Sequence, residues 1–480
     1  MGSLDLARWQ FAITTVYHFL FVPITIGLTA LIAIMQTIWH RSGDEHWLRL
    51  TKFFGKLFMI NFALGLVTGI VQEFQFGMNW SLYSRFVGDI FGAPLAFEAL
   101  LAFFLESTFL GLWIFGWDRL PRRVHLATIW LVHAGTVFSA FFILAANSFM
   151  QNPVGYTINT TTNRAELDDF LAVLTNKVQL VTFPHVLLGA YMTAGAFVMG
   201  IAIHHLRRVA LDRPDAPDLR MYRKAARLGA WVALVAALGV VVSGDLQGKV
   251  MTEVQPMKMA AAEALYETVP SNAPFSLLTV GSLDGSQKRF SVEVPGLLSF
   301  LATGSTSGAV QGINDLEKSL QDTYAANPLT ASASYTPVLW LTYWNFRLMM
   351  GTGFLTMLFA AMTLWRTRRG GLPTGVAWKH IAIWTPLLPL LANSFGWIFT
   401  EVGRQPWIVN GMMTTAQGVS GTVTASSVWV SMIVFTLLYG VLAVVEVRLM
   451  VRYIRPGASA VTPPPDPADR SDDAPLVFAY

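Results

Sequence analysis

Cysteine is absent from this chain of 480 residues. Its absence excludes disulfides, thiolate nucleophiles, cysteine-ligated iron–sulfur clusters, blue-copper centres and covalent c-type haem attachment. Any redox centre must therefore use histidine, methionine or carboxylate ligands, or a cofactor held without metal ligation. Charge is scarce as well: Asp, Glu, Lys and Arg make up 13% of the chain, against roughly 25% in an ordinary soluble domain. The formal net charge of +4 points to no nucleic-acid partner. What is abundant is apolar: 54% of residues are hydrophobic, gathered in runs of about twenty, the length that spans a bilayer as a helix. The alternating segments of about ten residues that mark barrel strands are not visible. Backbone groups in hydrocarbon must be satisfied internally, so the runs are predicted to be helices. Met1 to Gln10 lacks a basic segment followed by a short apolar stretch and a cleavage site. The amino terminus is expected to be retained.

Nine apolar stretches stand out, at 12–38, 54–72, 94–116, 126–146, 182–204, 229–244, 338–365, 381–400 and 428–451. The expected fold class is all-α, a polytopic membrane protein of about nine transmembrane helices with a large external loop. The sixth stretch is short and ends near Gly244 and Asp245. Basic residues gather in the loops 40–56, 117–125, 204–228 and 366–380 and in the tail after Glu446. The positive-inside tendency assigns these loops to the cytoplasm. The amino terminus is then outside and the carboxyl terminus inside, as nine spans require. Four regions follow: six helices within 1–244, an external loop at 245–337, three helices within 338–451, and a tail at 456–480. In the loop, Pro256 to Val269 reads as a helix, and Phe275 to Val294 reads as a hairpin around Leu283-Asp284-Gly285. So long a loop with mixed apolar and charged content is expected to fold. The tail, with Pro463-Pro464-Pro465 and several Asp residues, is expected to be disordered.

Ionisable residues within spans are costly and therefore candidates for function. His18 lies in the first span, His185 near the outer start of the fifth, and Met349 in the seventh. Glu98 and Glu106 share the third, and Glu401 closes the eighth. Taken singly, an intramembrane histidine more often bonds a neighbouring helix than a metal, and a methionine more often packs. By the topology above, however, His18, His185, Met349, Glu98 and Glu401 all fall in the outer half of the bilayer. A His/Met pair suits a low-spin electron-transfer haem, whereas a lone histidine or carboxylate leaves an iron position open for oxygen. Glu98 and Glu106 are eight residues apart, about 12 Å along a helix axis. A buried carboxyl can hand protons on, so the pair reads either as a proton path or as interhelical hydrogen bonding.

Several motifs in order resemble one family, cytochrome bd subunit I. They are Arg8-Trp9-Gln10-Phe11 leading to Tyr17-His18-Phe19-Leu20-Phe21-Val22-Pro23, then Phe54-Gly55-Lys56-Leu57-Phe58 and Glu73-Phe74-Gln75-Phe76-Gly77. Gly88-Asp89-Ile90-Phe91-Gly92-Ala93-Pro94-Leu95, Ala102-Phe103-Phe104-Leu105-Glu106-Ser107-Thr108-Phe109 and Gly403-Arg404-Gln405-Pro406-Trp407 complete the set. The likeness runs from about residue 8 to 450. It implies two b-type haems and one d-type haem near the outer face. His185 and Met349 match the axial ligands of the low-spin haem b, His18 the ligand of haem d, and Glu401 that of the high-spin haem b. Family members differ in which high-spin site holds which haem. Glu98 matches a carboxylate beside the high-spin pair, and Glu106, Ser107 and Ser139 match a proton channel. Arg347, Trp397 and Arg404 match residues lining the haems. The external loop matches a quinol-binding loop, in which Lys258 and Glu263 correspond to residues associated with quinol oxidation. An alternative for those two is an ion pair on the surface of an Ala-rich helix. Running from about Ser319 directly into the seventh span, the loop looks like the short version.

The resemblance implies a quinol:oxygen oxidoreductase of the bacterial cell membrane. Ubiquinol or menaquinol would be oxidised at the outer face and oxygen reduced to water with cytoplasmic protons. Charge separation follows from that geometry without a pump. A second integral membrane subunit is implied as partner, with small accessory subunits left open. A haem–copper oxidase would need a cluster of intramembrane histidines, yet the adjacent pair His204-His205 lies at a basic border. A di-haem b carrier would need paired histidines on two helices. A proton-coupled transporter would account for Glu98, Glu106 and nine spans but not for the outer-layer His/Met set. His133, in the fourth span, fits no ligand position and is expected to be structural.

Overall fold

A computed structural model describes residues 2–281 and 288–461. Among the described residues, nine helical segments are long and apolar enough to cross a membrane: Ser3–Ser42, Glu45–Met78, Ser81–Phe115, Arg122–Gln151, Lys177–Asp212, Asp218–Val254, Leu339–Gly370, Ala377–Val402 and Ala425–Ile454. They extend well beyond the apolar runs, because polar residues at each end continue the helix into the interface. The sixth is corrected most: its helix continues through Gly244 and Asp245 to Val254, steadied by an ion pair of 2.6 Å between Asp245 and Lys249 one turn on.

Two spans are interrupted, neither legibly from the hydrophobic pattern. The first is two helices, Ser3–His18 and Val22–Ser42. Pro23 has no N–H to give the carbonyl of Phe19, and its ring would crowd that carbonyl. The chain tightens instead: Leu20 N bonds Tyr17 O at 3.2 Å and Phe21 N bonds His18 O at 3.0 Å. His18 is thus the last residue of the first helix. The third span joins helices Ser81–Phe97 and Phe104–Phe115 through a π-helical turn, Glu98–Phe103. In an unbroken α-helix, eight residues would set Glu98 and Glu106 about 80° apart around the axis. A π turn absorbs one extra residue, about 100°, and brings the two carboxylates nearly onto one face.

Spans one to four pack as one four-helix group and spans five to eight as another, with the fifth span against the first where the groups meet. The ninth lies outside, against spans one and two. Lipid tails are as apolar as leucine, so tight backbone approach at small residues holds such helices together. A side chain at Gly195 of the fifth span would come within 2.6 Å of the Ala233 nitrogen on the sixth. One at Gly27 of the first would reach 2.6 Å from Ala194 Cβ.

The basic loops share one end of the molecule. Arg207 donates to Gly375 O (3.2 Å), Arg208 to Arg455 O (3.1 Å) and Arg223 to Gly370 O (2.9 Å), while Lys224 pairs with Asp44. At the opposite end the long loop folds as a cap. Its helix is shorter than expected, Pro256–Glu263, because Ala264 turns left-handed at φ 48°. Strands Phe275–Gly281 and Lys288–Val294 form the expected hairpin; Leu283-Asp284-Gly285 lies outside the described residues. Helices Leu297–Thr303 and Ile313–Tyr324 follow. Met259, Phe275, Leu298, Ala302 and Val310 make the core of the cap, packed on Phe346 and Met350 of the seventh span. Two further small hairpins, 156–167 and 407–414, were not expected. Most of the tail at 456–480 lies outside the described residues. Its first residues are docked: Ser459 bonds Tyr222 OH (3.0 Å), and Gly457 at φ 74° fits beside His205.

Candidate functional site

Two histidines are held in the same way. His18 Nδ1 lies 2.9 Å from Thr68 Oγ1, whose own proton goes to the carbonyls of Leu64 and Gly65, both at 3.0 Å. A hydroxyl has one proton, so the threonine must accept from His18 Nδ1–H. His185 Nδ1 lies 3.1 Å from Ser243 Oγ, which donates to Gly239 O at 2.8 Å. Both rings are therefore fixed as Nδ1–H tautomers with the Nε2 lone pair available, the form in which imidazole binds a metal. Each hydroxyl is followed by a glycine against the ring. An added Cβ at Gly69 would stand 3.2 Å from His18 Cε1, and one at Gly244 would stand 3.3 Å from His185 Cε1.

The other buried histidines are spoken for. His133 gives Nδ1–H to Thr29 Oγ1 (3.0 Å), which donates to Ile26 O, and takes the Tyr191 hydroxyl proton on Nε2 (3.1 Å). His125 donates from Nε2 to Trp113 O (2.8 Å) and accepts from Gln36 at Nδ1 (2.8 Å). His205 bonds Ile454 O through Nε2 at 2.9 Å.

Met349 also faces a glycine: a Cβ at Gly396 would lie 3.0 Å from its sulfur. His185 and Met349 sit on the fifth and seventh spans, diagonal to each other in the second four-helix group. The flanking sixth and eighth spans contribute Gly244 and Gly396. Trp397 follows Gly396 and stacks on Phe19 at 4.4 Å, joining the two groups beside His18.

The carboxylates of the third span face the fourth. Glu98 accepts from Ser139 Oγ at 2.7 Å. Glu106 is buried, and its Cβ is where a side chain at Gly135 would come within 3.0 Å. Gly135 and Ser139 are one turn apart, so both acids lie along one stripe. Ser107 is exposed and donates to Phe104 O at 3.3 Å, turned away from Glu106.

Lys258 and Glu263 are not a surface pair; their exposures are 2% and 4%, and each has a separate partner. Lys258 Nζ donates to Gln151 Oε1 (3.1 Å), Gln151 to Asn147 Oδ1 (2.8 Å), and Asn147 to Glu401 Oε1 (3.3 Å). Arg404 pairs with the other oxygen of Glu401. A continuous hydrogen-bonded chain thus joins the cap to Glu401. Burial pulls the Lys258 amine down to about 7, with Arg404 adding to the shift and Glu401 opposing it. Glu263 instead meets Arg347 of the seventh span at 2.7 Å. Burial pushes its carboxyl up to about 7 although Arg347 pulls the other way. Arg347 also donates to the carbonyls of Ser276 and Ala262 and stacks over Tyr343, 4.0 Å from the ring centre.

Sequence reasoning missed Thr68, Ser243, Asn147, Gln151 and the three glycines. A signal was present for some of them. Thr68-Gly69 and Ser243-Gly244 are hydroxyl–glycine pairs inside apolar runs, and Asn147 and Gln151 are polar residues one turn apart near a helix end.

Comparison with known proteins places the chain in a family. A family described as cytochrome bd terminal oxidase subunit I matches residues 6–458. The chain is 47% identical to cytochrome bd ubiquinol oxidase subunit 1 of Bacillus subtilis, covering 95% of each. It is 37% identical to cytochrome bd-II ubiquinol oxidase subunit 1 of Escherichia coli, covering 95% of this chain and 97% of that one. Among solved structures, the bd oxidase of Geobacillus thermodenitrificans superposes with a TM-score of 0.83 at 29% identity, covering 95% of this chain and 99% of that one.

Proposed function

The chain belongs to the cytochrome bd terminal oxidase subunit I family, a family of quinol-oxidising, haem-bearing bacterial membrane proteins, and from that premise we propose how its residues divide the work. His185 and Met349, on diagonal helices, would hold a low-spin haem b. His18 would hold haem d, and Glu401 would hold a high-spin haem b. The observation that carries this reading is the shared setting of the two histidines: Nδ1–H bound to a hydroxyl with no proton left to give, Nε2 free, and a glycine flattening the neighbouring helix. Arg404 fits the same picture, since its Nε and Nη1 are buried without a partner. A guanidinium with two unmet nitrogens suits the carboxylate side chains of haem. The haems, when bound, supply the one-electron chemistry and the reduction of oxygen to water.

The protein's own part is ligation, spacing and proton traffic. The basic end faces the cytoplasm and the cap faces outward, so quinol is oxidised and deprotonated beneath the cap. Glu263 is placed to accept a proton there, with Arg347 opposite. The Lys258–Gln151–Asn147 chain leads to Glu401 and orients its carboxylate. Glu106, Ser139 and Glu98 carry protons from the cytoplasmic side, with exposed Ser107 at the rim of that path. The second membrane subunit of the oxidase packs beside this chain, and ubiquinol or menaquinol is the reductant. Reduced-minus-oxidised visible spectra of His185→Ala and Met349→Leu, purified as the full complex, test the assignment. Both should lose the low-spin b band and keep the d band; a wild-type spectrum in both would sink it.

A further inference from the structure

The cap hairpin is inside out for a ribbon in water. A soluble two-stranded ribbon turns its apolar face to the core and its polar face outward. Here Leu278 is opposite Val292 and Val280 is opposite Phe290. These two cross-strand pairs form one face, and all four side chains are exposed, at 37%, 44%, 50% and 57%. The opposite face carries the pair Thr279 and Ser291, and Thr279 is buried against Ser276.

The base of the ribbon fixes its height. Ser276 Oγ bonds the Tyr343 hydroxyl at 2.7 Å, and its carbonyl accepts from Arg347. Both partners lie within the first turns of the seventh span, which begins at Leu339. At that same level Trp340, Trp344 and Leu348, one turn apart, are exposed on the outside of the span. Exposed tryptophans at a span's end mark the interfacial belt of a membrane. The outward apolar face of the ribbon therefore starts where the lipid-facing surface of the seventh span ends. Exposed Arg289 lies beside Phe290, and a cation next to an inserted aromatic suits lipid phosphates.

We propose that this ribbon lies in the outer-leaflet interface, with Leu278, Val280, Phe290 and Val292 against lipid. Its occupant is the bilayer, not water and not a protein surface. A lipid-soluble quinol would then pass along the ribbon to Glu263 and Arg347 without crossing water. That consequence rests on the quinol reading above; the membrane contact does not.

The absence of native cysteine makes the test clean. Single-cysteine variants Val280→Cys and Phe290→Cys, with Arg164→Cys in the exposed 156–167 hairpin as a reference, are assembled with a cysteine-free partner subunit. Each complex is spin-labelled in phosphatidylethanolamine–phosphatidylglycerol nanodiscs. Collision with oxygen, which favours lipid, is compared with collision with a water-soluble nickel chelate. Labels at 280 and 290 should favour oxygen over nickel at least several-fold relative to 164. Nickel access equal to that at 164 overturns the proposal in favour of water. Immobilised labels reached by neither reagent overturn it in favour of a protein cover. The readout is independent of turnover, so the quinol reading can fail without affecting it.

Discussion

Replacing Ser243 with alanine removes the side-chain acceptor of His185 Nδ1–H and leaves the Val240 carbonyl as the ring's backbone partner. The hydroxyl lies 3.1 Å from Nδ1, and its own proton is committed to Gly239 O at 2.8 Å. Its loss removes one of two acceptors around a buried N–H, a cost of about 0.5–1.5 kcal/mol, that of one ordinary hydrogen bond. A ring that moves its proton to Nε2 would give up the lone pair proposed above for iron. Either route weakens haem binding. Partners of this kind contribute about 10–100-fold in metal affinity, or about 1.4–2.8 kcal/mol. The hydrogen bond also makes the imidazole more electron-rich, which favours ferric iron, so its loss should raise the midpoint potential. A tenfold bias against the ferric state is about 59 mV for one electron. The assay is the haem-to-protein ratio and a potentiometric titration of the low-spin band in the purified complex. Ser243→Thr keeps the hydroxyl and should behave as wild type. An alanine variant with unchanged haem content and unchanged midpoint would refute the role given to the Ser243 hydroxyl.

Two further outcomes follow from the carboxylates. Glu106→Gln should cut oxygen consumption by about 10²–10⁴-fold, the scale of a lost proton-transfer group, while haem spectra stay intact; wild-type turnover would remove Glu106 from the proton path. For Glu263, whose carboxyl is pushed up to about 7, protonation as pH falls through that value ends its capacity to accept a proton. Quinol oxidation by wild type should therefore decline on the acid side of about pH 7, and Glu263→Gln should be slower and lack that limb. Persistence of the same limb in the variant would assign it to another group.

The amino-acid sequence by itself determined the membrane class, the number of spans and the candidate ligands. Run length and scarcity of charge admit little but helices in hydrocarbon, and an ionisable side chain inside a span stands out against that background. The unequal spread of Lys and Arg also grouped the basic loops, which the structure ties together at one end. The folding of the long loop into a cap with a helix and a hairpin was legible too, from proline placement and alternation.

Tertiary structure decided what each candidate can do. His18, His185 and His133 are each a histidine in an apolar run, and in the sequence only the family resemblance sets His133 apart. Only their hydrogen bonds show which ring nitrogen is free: each gives Nδ1–H to a hydroxyl on a neighbouring helix, and Tyr191 of the fifth span occupies Nε2 of His133. Glu98 and Glu106 share a face because of a π turn, a local change of helical register that the apolar pattern does not encode. Lys258 and Glu263, five residues apart on one short helix, act on different partners because the fourth and seventh spans approach that helix from different sides. Pairings between distant segments set these outcomes, and side-chain periodicity along one segment carries no record of them.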